Sequence, residues 1–349
     1  MAESLHSIPT PRVYVDRSRL QANIAAMQAR ATGAGVRLRP HAKTHKSPKI
    51  ARMQIDAGAV GVCCAKVGEA EIFAEAGIHD VRLPYPTNPA NAERVFALQD
   101  RIQLSTVVDN PAVARQWSDV MVPKGRKLDV LVKVDVGFHR CGVNPDSPDV
   151  LDTIRSIAGL PGLRFLGLLS HAGHGYHAET ADALARIAAC EIQILSKLAS
   201  GLRASGVDVQ EISVGATPTA RFVTDQHGVT EMRPGNYVFF DRTQVGLGSA
   251  TIDQCSLGIV ATVVSRPDTA RAALDAGSKT LSSDGLRGFG HTDGYGFVYG
   301  SLEARHPDPR IVIGRLSEEH SVAKVSGDCR RKPGDRVHIL PNHACVVAN

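Results

Sequence analysis

The sequence predicts an α/β protein in which a (β/α)8 TIM-like barrel over residues 11–243 is joined to a β-rich domain formed by residues 1–10 and 244–349. Three observations lead to this fold class. Short β-rich runs alternate with helical patterns as far as residue 220. The pattern changes after residue 245 to strands separated by Gly, Pro and Asp turns. Polar side chains also follow several of the predicted barrel strands, at the ends where barrels carry their chemistry.

The barrel prediction depends on the number of strands, because eight strand and helix repeats close a parallel barrel. The predicted strands are VYVD (13–16), RLRPHAK (37–43), GVCCAK (61–66), VRLPYP (81–86), LSTVVDN (104–110), LDVLVKVDVG (128–137), LRFLGLLSHAG (163–173) and EISVGA (211–216). Helical patterns lie between them, and the longest of these, TADALARIAACEIQILSKLASG, precedes the eighth strand. The β-rich domain is predicted from SLGIVATVVSRPD, RAALDAGS, IVIGRLSEEH and DRVHILPNHACVV.

Composition and charge exclude several classes of protein. The hydrophobic fraction of 43% and the charged fraction of 21% are ordinary for a globular chain. The formal net charge is +5, but basic and aromatic residues do not alternate and no long run of like charges occurs, so we expect no nucleic-acid partner. No apolar run approaches the ~18 residues of a membrane span, and no signal segment opens the chain. We therefore expect a cytoplasmic protein without a membrane partner, whose seven scattered cysteines are reduced thiols.

The stretch RLRPHAKTHKSP (37–48) is a poor core strand and a poor helix, which calls for an explanation other than packing. It places Lys43 between His41 and His45 at a strand end. A lone lysine there is usually a solvated charge. Other strand ends also carry polar residues, however, and these are Lys66, Arg140, the segment 171–176 and Thr217. Their coincidence indicates an active site at the barrel mouth.

Two glycine-containing segments, VGATPTA (214–220) and MRPGNYVFFD (232–241), complete the predicted site. Each alone could be an ordinary turn. Barrels often bind phosphate through backbone N–H groups and hydroxyls in the loops after strands seven and eight. A phosphate-bearing cofactor opposite a lysine that can form an imine describes pyridoxal 5′-phosphate (PLP).

Motifs over nearly the whole chain resemble the family of D-threonine aldolases and eukaryotic-type D-serine dehydratases, which are PLP enzymes with an alanine-racemase-like barrel and a C-terminal β domain. They are RPHAKTHKSP, DVGFHRCGV, HAGHGY, GATPT, RPGNYVFFD, LDAGSKTLSSDG, LSEEH and PNHAC. The resemblance implies that Lys43 holds PLP as a Schiff base, that Arg140 lies against the cofactor ring and that Tyr176 lies near the ring or the substrate. The phosphate would be bound by Gly215, Thr217, Gly235 and Asn236, with Tyr237 beside them.

The segment HAC (343–345) raises the possibility of a metal site. If it lies on a strand, His343 and Cys345 point to the same face and can ligate one divalent ion. The spacing alone is weak. The resemblance implies a catalytic metal at these positions, zinc in the dehydratases and often manganese in the aldolases. Because some aldolases have Asp where this chain has Cys345, the thiol shifts the preference toward zinc.

From this resemblance we expect a PLP- and metal-dependent lyase acting on a D-amino acid. The main hypothesis is a D-threonine aldolase that gives glycine and an aldehyde, with His45 or a metal-bound hydroxide as the base. The alternative is a D-serine or D-3-hydroxyaspartate dehydratase that gives a 2-oxo acid and ammonia, with Lys43 as the base. A non-enzymatic PLP-binding barrel would lack the second domain. We also expect a homodimer in which the β domain of one subunit approaches the barrel mouth of the other.

Overall fold

The structure is a computed structural model that describes residues 5–225, 228–289 and 293–349. The chain divides into two compact units. One, the barrel unit, comprises residues 24–175 and 182–235, and the other, the β unit, comprises residues up to 23, 176–181 and 236–349.

The barrel unit is built on eight parallel strands, as the sequence predicts. In chain order the strands are Arg37–Leu38, Val62–Cys63, Asp80–Pro86, Gln103–Val108, Leu128–Lys133, Leu163–Leu169, Glu211–Val214 and Glu231–Met232. Neighbours in the chain are neighbours in the sheet, and the last strand pairs with the first. A further parallel bridge between His41 and Cys63 joins the chain beyond the first strand to the second. The curled sheet therefore has the strand order of a TIM-like barrel.

One strand assignment made from the sequence is wrong, and one barrel strand was missed. The sequence places VYVD in the barrel, but Arg12–Val15 pairs antiparallel with Leu257–Asp268 in the β unit. The eighth barrel strand is instead Glu231–Met232, which ends at the first residue of the segment predicted as a glycine turn. An apolar run of four residues does not reveal its pairing partner, and a strand of two residues has no detectable period. The count of eight was right although one member was not.

Helices alternate with the barrel strands and begin at recognisable caps. They are Arg17–Gly33, Pro48–Asp56, Val67–Glu75, Ala92–Gln99, Pro111–Met121, Val150–Ala158 and Ala181–Ala204. Ser47 caps the helix that starts at Pro48 by accepting from the Ile50 N–H, and Asn110 caps the helix that starts at Pro111. Proline suits the first helical position because its missing N–H would have no partner there.

A buried ionic network crosses the barrel interior. The carboxylate of Glu231 is fully buried and accepts from Arg39 Nε at 2.8 Å, Arg82 Nη1 at 2.5 Å and Ser213 Oγ at 2.5 Å. Arg82 also pairs with Glu211 at 2.8 Å. Arg82 lies on the strand Asp80–Pro86, which is not a neighbour of the strand Glu231–Met232 in the sheet. The carboxylate of Glu231 therefore connects strands that do not pair with each other. Loss of one partner would leave an uncompensated buried charge.

The β unit contains a seven-stranded antiparallel arrangement. Its strands are Arg12–Val15, Leu257–Asp268, Arg271–Leu274, Phe297–Tyr299, Ile311–Leu316, Ser321–Val325 and Arg336–Leu340. Short helices occur at Arg242–Gly246, Ser278–Leu281 and Ala344–Val347. Alternate strand residues such as Ile259, Ala261 and Val263 form a buried core, in keeping with the period of two. Among the described residues of both units, no helix combines the length and apolarity that a membrane crossing requires.

Candidate active site

Lys43 lies just beyond the first barrel strand, in a single 3-10 turn formed by Ala42–Thr44. Its side chain is exposed and therefore accessible to a ligand. Gly235 packs directly against this turn. A Cβ atom at Gly235 would lie 2.9 Å from Thr44 Oγ1 and 3.0 Å from the His41 carbonyl oxygen. The absence of a side chain thus allows two loops to touch, and both carry residues predicted to bind the cofactor.

Several lysine and arginine side chains cluster at the same end of the barrel. Burial, with the charges of Lys43 and His171, holds the pKa of His41 well below its usual value. Burial and the charges of Lys133 and Lys43 do the same to the pKa of His171. Both imidazoles are therefore neutral at physiological pH and can accept a hydrogen bond. A cluster with so much cationic character favours an anionic ligand.

Lys133 is a member of this cluster that sequence reasoning missed. It ends the strand Leu128–Lys133 and is only 3% exposed. Burial, together with the charges of Arg233 and Arg140, lowers the pKa of Lys133 to about 7. The signal was available, because a lysine interrupts the otherwise apolar run VLVKV (130–134). A charge at that point of a buried strand is costly unless the site uses it.

Arg140 lies in a loop that Asp135 organises. One carboxylate oxygen of Asp135, Oδ1, accepts the backbone N–H groups of Gly137, Phe138 and His139 at 3.0, 3.1 and 3.0 Å. The Arg140 guanidinium carbon lies 5.0 Å from the centre of the Phe138 ring. The Phe138 ring in turn meets His171 edge to face at 5.7 Å. The loop therefore places Arg140 beside the cluster around Lys43.

The loop after the seventh barrel strand, Glu211–Val214, has two features that suit a phosphate. Gly215 adopts φ of +98°, a conformation that other residues rarely take. Thr217 is 4% exposed, and its hydroxyl has no hydrogen-bond partner among the residues that the structure describes. A buried hydroxyl without a partner is uncommon in a folded protein and indicates a place for a ligand or water.

His45 lies next to this cluster but is held by other contacts. Its Nδ1 accepts from the Ser47 N–H at 3.0 Å, and its Nε2 lies 3.3 Å from Gln54 Oε1. Burial lowers the pKa of His45 to about 4. To act as the predicted base, the ring would have to give up the Ser47 contact. These contacts instead fix the turn that follows Lys43, and the catalytic role of His45 stays a prediction.

The remaining predicted cofactor residues, Tyr176, Asn236 and Tyr237, belong to the β unit. Asn236 and Tyr237 are buried and start the 3-10 turn Asn236–Val238. Burial, followed by the charges of Cys345 and Asp241, raises the pKa of Tyr176 well above its usual value. Its phenol is therefore protonated at physiological pH and available as a donor.

His343 and Cys345 meet in the β unit, but not as predicted. They lie beyond the strand Arg336–Leu340, with His343 as the residue before the short helix Ala344–Val347. The expectation that HAC lies on a strand is therefore wrong, because the strand ends at Leu340. The two side chains nevertheless hydrogen-bond each other at the beginning of the helix.

Asp284, which sequence reasoning also missed, orients His343. Its Oδ2 lies 2.6 Å from His343 Nδ1, which leaves Nε2 for a metal. Burial alone would lower the pKa of His343, but Cys345, Asp241 and Asp284 together raise it to about 9. The carboxylates of Asp241 and Asp284 thus lie near the imidazole and favour a bound cation. Within the described ranges no group of three or more His, Cys, Asp and Glu side chains has metal-binding geometry.

The residues present fit both implied groups. In the barrel unit, an accessible lysine, an excess of cationic groups and the buried Thr217 hydroxyl match an anionic cofactor with an aldehyde. In the β unit, an imidazole held by a carboxylate beside a thiol matches a divalent ion of the zinc or manganese type. His343 and Cys345 alone would leave positions on such an ion for water or substrate, as catalytic metal sites do.

Comparisons with known proteins agree with this architecture. The model of the alanine racemase N-terminal domain matches residues 15–243, and that of a putative serine dehydratase domain matches residues 256–349. The chain is 36% identical over 357 residues to a D-threo-3-hydroxyaspartate dehydratase of Delftia sp. (strain HT23), covering 99% of this chain and 93% of that protein. It is 34% identical to a D-threonine aldolase of Arthrobacter sp., covering 99% and 88%.

Similarity to solved structures is equally extensive. A D-threo-3-hydroxyaspartate dehydratase structure, described as a cysteine-to-alanine mutant in the metal-free form, matches with a TM-score of 0.92 and 35% identity. The match covers 99% of this chain and 94% of that one.

Proposed function

The chain belongs to the family of D-threonine aldolases and D-serine dehydratases, and on that premise we propose that it is a PLP- and divalent-metal-dependent D-threonine aldolase. Its substrates are D-3-hydroxy amino acids, which it cleaves to glycine and an aldehyde. PLP, when bound, supplies a ring that accepts the electrons of a bond broken at the substrate Cα. The divalent ion supplies Lewis acidity toward the substrate hydroxyl.

Within the barrel unit, each proposed role follows from a contact. Lys43 is the amine that attaches the cofactor, because it is exposed on a turn braced by Gly235. Arg140, held over Phe138 by the Asp135 loop, provides a fixed positive charge for the ring. Gly215, Thr217 and Gly235 bind the phosphate. Asn236 and Tyr237, which follow Gly235 in the chain and belong to the β unit, are the other proposed phosphate residues.

Within the β unit, His343 and Cys345 hold the metal. Asp284 accepts from His343 Nδ1 and so fixes the tautomer in which Nε2 is the ligating nitrogen. Tyr176, protonated because its pKa is raised, donates to the bound substrate or cofactor. The metal is zinc or manganese.

Two imidazoles near Lys43 support carbon–carbon cleavage. This reaction needs side chains that hold the substrate hydroxyl while its proton is removed. His41 and His171 are neutral, because burial and the nearby cations lower their pKa, and a neutral imidazole can accept a hydrogen bond from that hydroxyl. In a dehydratase, Lys43 would be the base at the substrate Cα.

The products of one incubation decide between the two reactions. Purified protein is incubated with PLP and Mn²⁺ or Zn²⁺, separately with D-threonine and with D-serine, and the products are identified by chromatography. An aldolase gives glycine and acetaldehyde from D-threonine. Formation of pyruvate and ammonia from D-serine, without glycine from D-threonine, would identify a dehydratase and overturn the proposal. A Lys43→Ala variant is the control for cofactor-independent breakdown.

A further inference from the structure

The buried carboxylate of Asp241 connects the cofactor loop to the metal pair inside the β unit. Asp241 is fully buried. Its Oδ2 accepts from Asn236 Nδ2 at 2.6 Å and from the Ala344 N–H at 2.9 Å. Ala344 is the residue between His343 and Cys345. One oxygen atom therefore holds a side chain of the predicted phosphate loop and the backbone of the metal motif.

The other oxygen fixes Asp241 itself. Oδ1 accepts from the Gln244 N–H at 2.9 Å, as the cap of the helix Arg242–Gly246. All three partners of the carboxylate are N–H donors, so an acceptor-only side chain is needed. Burial raises the pKa of Asp241, while the neighbouring His343 opposes that effect. Keeping such a group in the interior costs stability, which suggests a functional reason for its retention.

A second contact joins the same two segments. Asn236 Nδ2 lies 3.4 Å from Cys345 Sγ, so this amide group touches both Asp241 and a proposed metal ligand. The Asn236 Oδ1 atom is buried and has no hydrogen-bond partner in the described part of the chain. Any shift of Asn236 on cofactor binding must therefore act on Asp241 and Cys345 together.

We propose that Asp241 is a positioning residue that couples the two sites, so that PLP and the divalent metal bind with positive cooperativity. The proposal rests on the proposed function, because it takes Asn236 as part of the phosphate site and His343 with Cys345 as the metal ligands. Phosphate bound by the backbone N–H of Asn236 would order this residue and thereby fix Asp241, which fixes the Ala344 backbone and the two ligands beside it. Binding free energies are reciprocal, so each ligand must tighten the other by the same factor.

Equilibrium binding without substrate tests the coupling. PLP affinity is measured from the visible absorbance of the lysine-bound cofactor, in chelated protein and in protein saturated with Mn²⁺. Mn²⁺ affinity is measured by calorimetry with and without PLP. We expect each ligand to increase the affinity for the other by a coupling factor of about fivefold or more, which is the lower end of typical couplings between sites. The two factors must agree.

Asp241→Asn is the informative variant. An asparagine can still cap the helix through its oxygen, but its amide group faces Asn236 and Ala344 with donors instead of an acceptor. We expect both affinities to fall and the coupling factor to drop to about one. Asp275→Asn is the matched control, because Asp275 accepts from the Thr262 N–H at 2.7 Å and from Thr10 Oγ1 at 2.6 Å without contacting the coupled segments. It should retain the wild-type factor.

Several results would overturn the proposal. One is a wild-type protein in which either ligand changes the affinity for the other by less than about twofold. A second is an Asp241→Asn variant that keeps the wild-type coupling factor, and a third is an Asp275→Asn variant that loses as much coupling as Asp241→Asn. If Asp241→Asn does not fold, Asn236→Ala removes the same link and must abolish the coupling. A protein that binds PLP and Mn²⁺ independently contradicts the coupling alone, whereas failure to bind PLP at all contradicts the proposed function as well.

Discussion

Replacing the buried amine of Lys133 should stabilise the protein, and the gain should depend on pH. Lys133 is 3% exposed, and burial with the charges of Arg233 and Arg140 lowers its pKa from 10.5 to about 7. The folded protein thus binds this proton more weakly than the unfolded chain does. The resulting penalty is fully present below pH 7 and disappears as pH rises toward the pKa of the unfolded state.

The size of the effect follows from the shift. A depression of about 3.5 units corresponds to about 5 kcal/mol at about 1.36 kcal/mol per unit, as an upper limit. Because relaxation around a buried charge reduces its penalty, we expect Lys133→Met to gain about 3 kcal/mol at pH 6 in the cofactor-free protein. The gain should shrink steadily between pH 7 and pH 10. Methionine matches the length of the lysine stem and leaves no buried charge.

Urea unfolding followed by circular dichroism at several pH values measures this difference. Lys127→Met, which removes an exposed lysine just before the same strand, is the control and should change stability little at any pH. A Lys133→Met protein that is less stable than wild type at pH 6 would show that the buried ammonium of Lys133 does not destabilise the folded protein. So would a gain that does not vary with pH.

Three other variants test separate parts of the structure. Glu231→Gln leaves two buried arginines with a neutral partner and should lower the free energy of unfolding by about 3–5 kcal/mol in urea titrations, whereas Glu303→Gln at an exposed ion pair should leave it nearly unchanged. His343→Ala should lose Mn²⁺ binding and turnover while keeping its melting temperature, as should wild type treated with EDTA; unfolding on chelation would instead indicate a structural metal. Thr217→Val removes a buried hydroxyl and should weaken PLP binding about tenfold with little change in melting temperature; unchanged affinity would remove Thr217 from the phosphate site.

The fold could be predicted from the sequence because its signal is repetitive. Eight alternations of strand and helix outweigh an error in any one of them. The misplacement of Arg12–Val15 changed no conclusion, since the two-residue strand Glu231–Met232 filled the vacant position. Pairing partners far apart in the chain cannot be read from local periodicity, which is why that exchange was not foreseen.

The candidate site was predictable where a residue type is unusual for its position. Lys43, with histidines on both sides at a strand end, is such a case. Asp284 and Asp241 could not be found in the same way, because acidic residues in glycine-containing loops are common and their roles depend on partners far away in the chain. His343 and Cys345 were identified from the sequence, but the segment predicted as a strand is the start of a short helix. Lys133 was overlooked although it interrupts an apolar run, a pattern that should be taken as a signal.

The identity of the lysine that attaches the cofactor is the most direct test of the proposed function, because the roles proposed for the barrel residues depend on Lys43. Protein loaded with PLP is reduced with borohydride, digested and analysed by mass spectrometry. We expect a single peptide that carries the reduced PLP adduct and contains Lys43, and no adduct in the Lys43→Ala variant. Lys66, whose ammonium group lies 5.4 Å from the centre of the Tyr85 ring, and Lys133 are the competing amines of the barrel. Modification of either one in the wild-type protein, with Lys43 unmodified, would contradict the account.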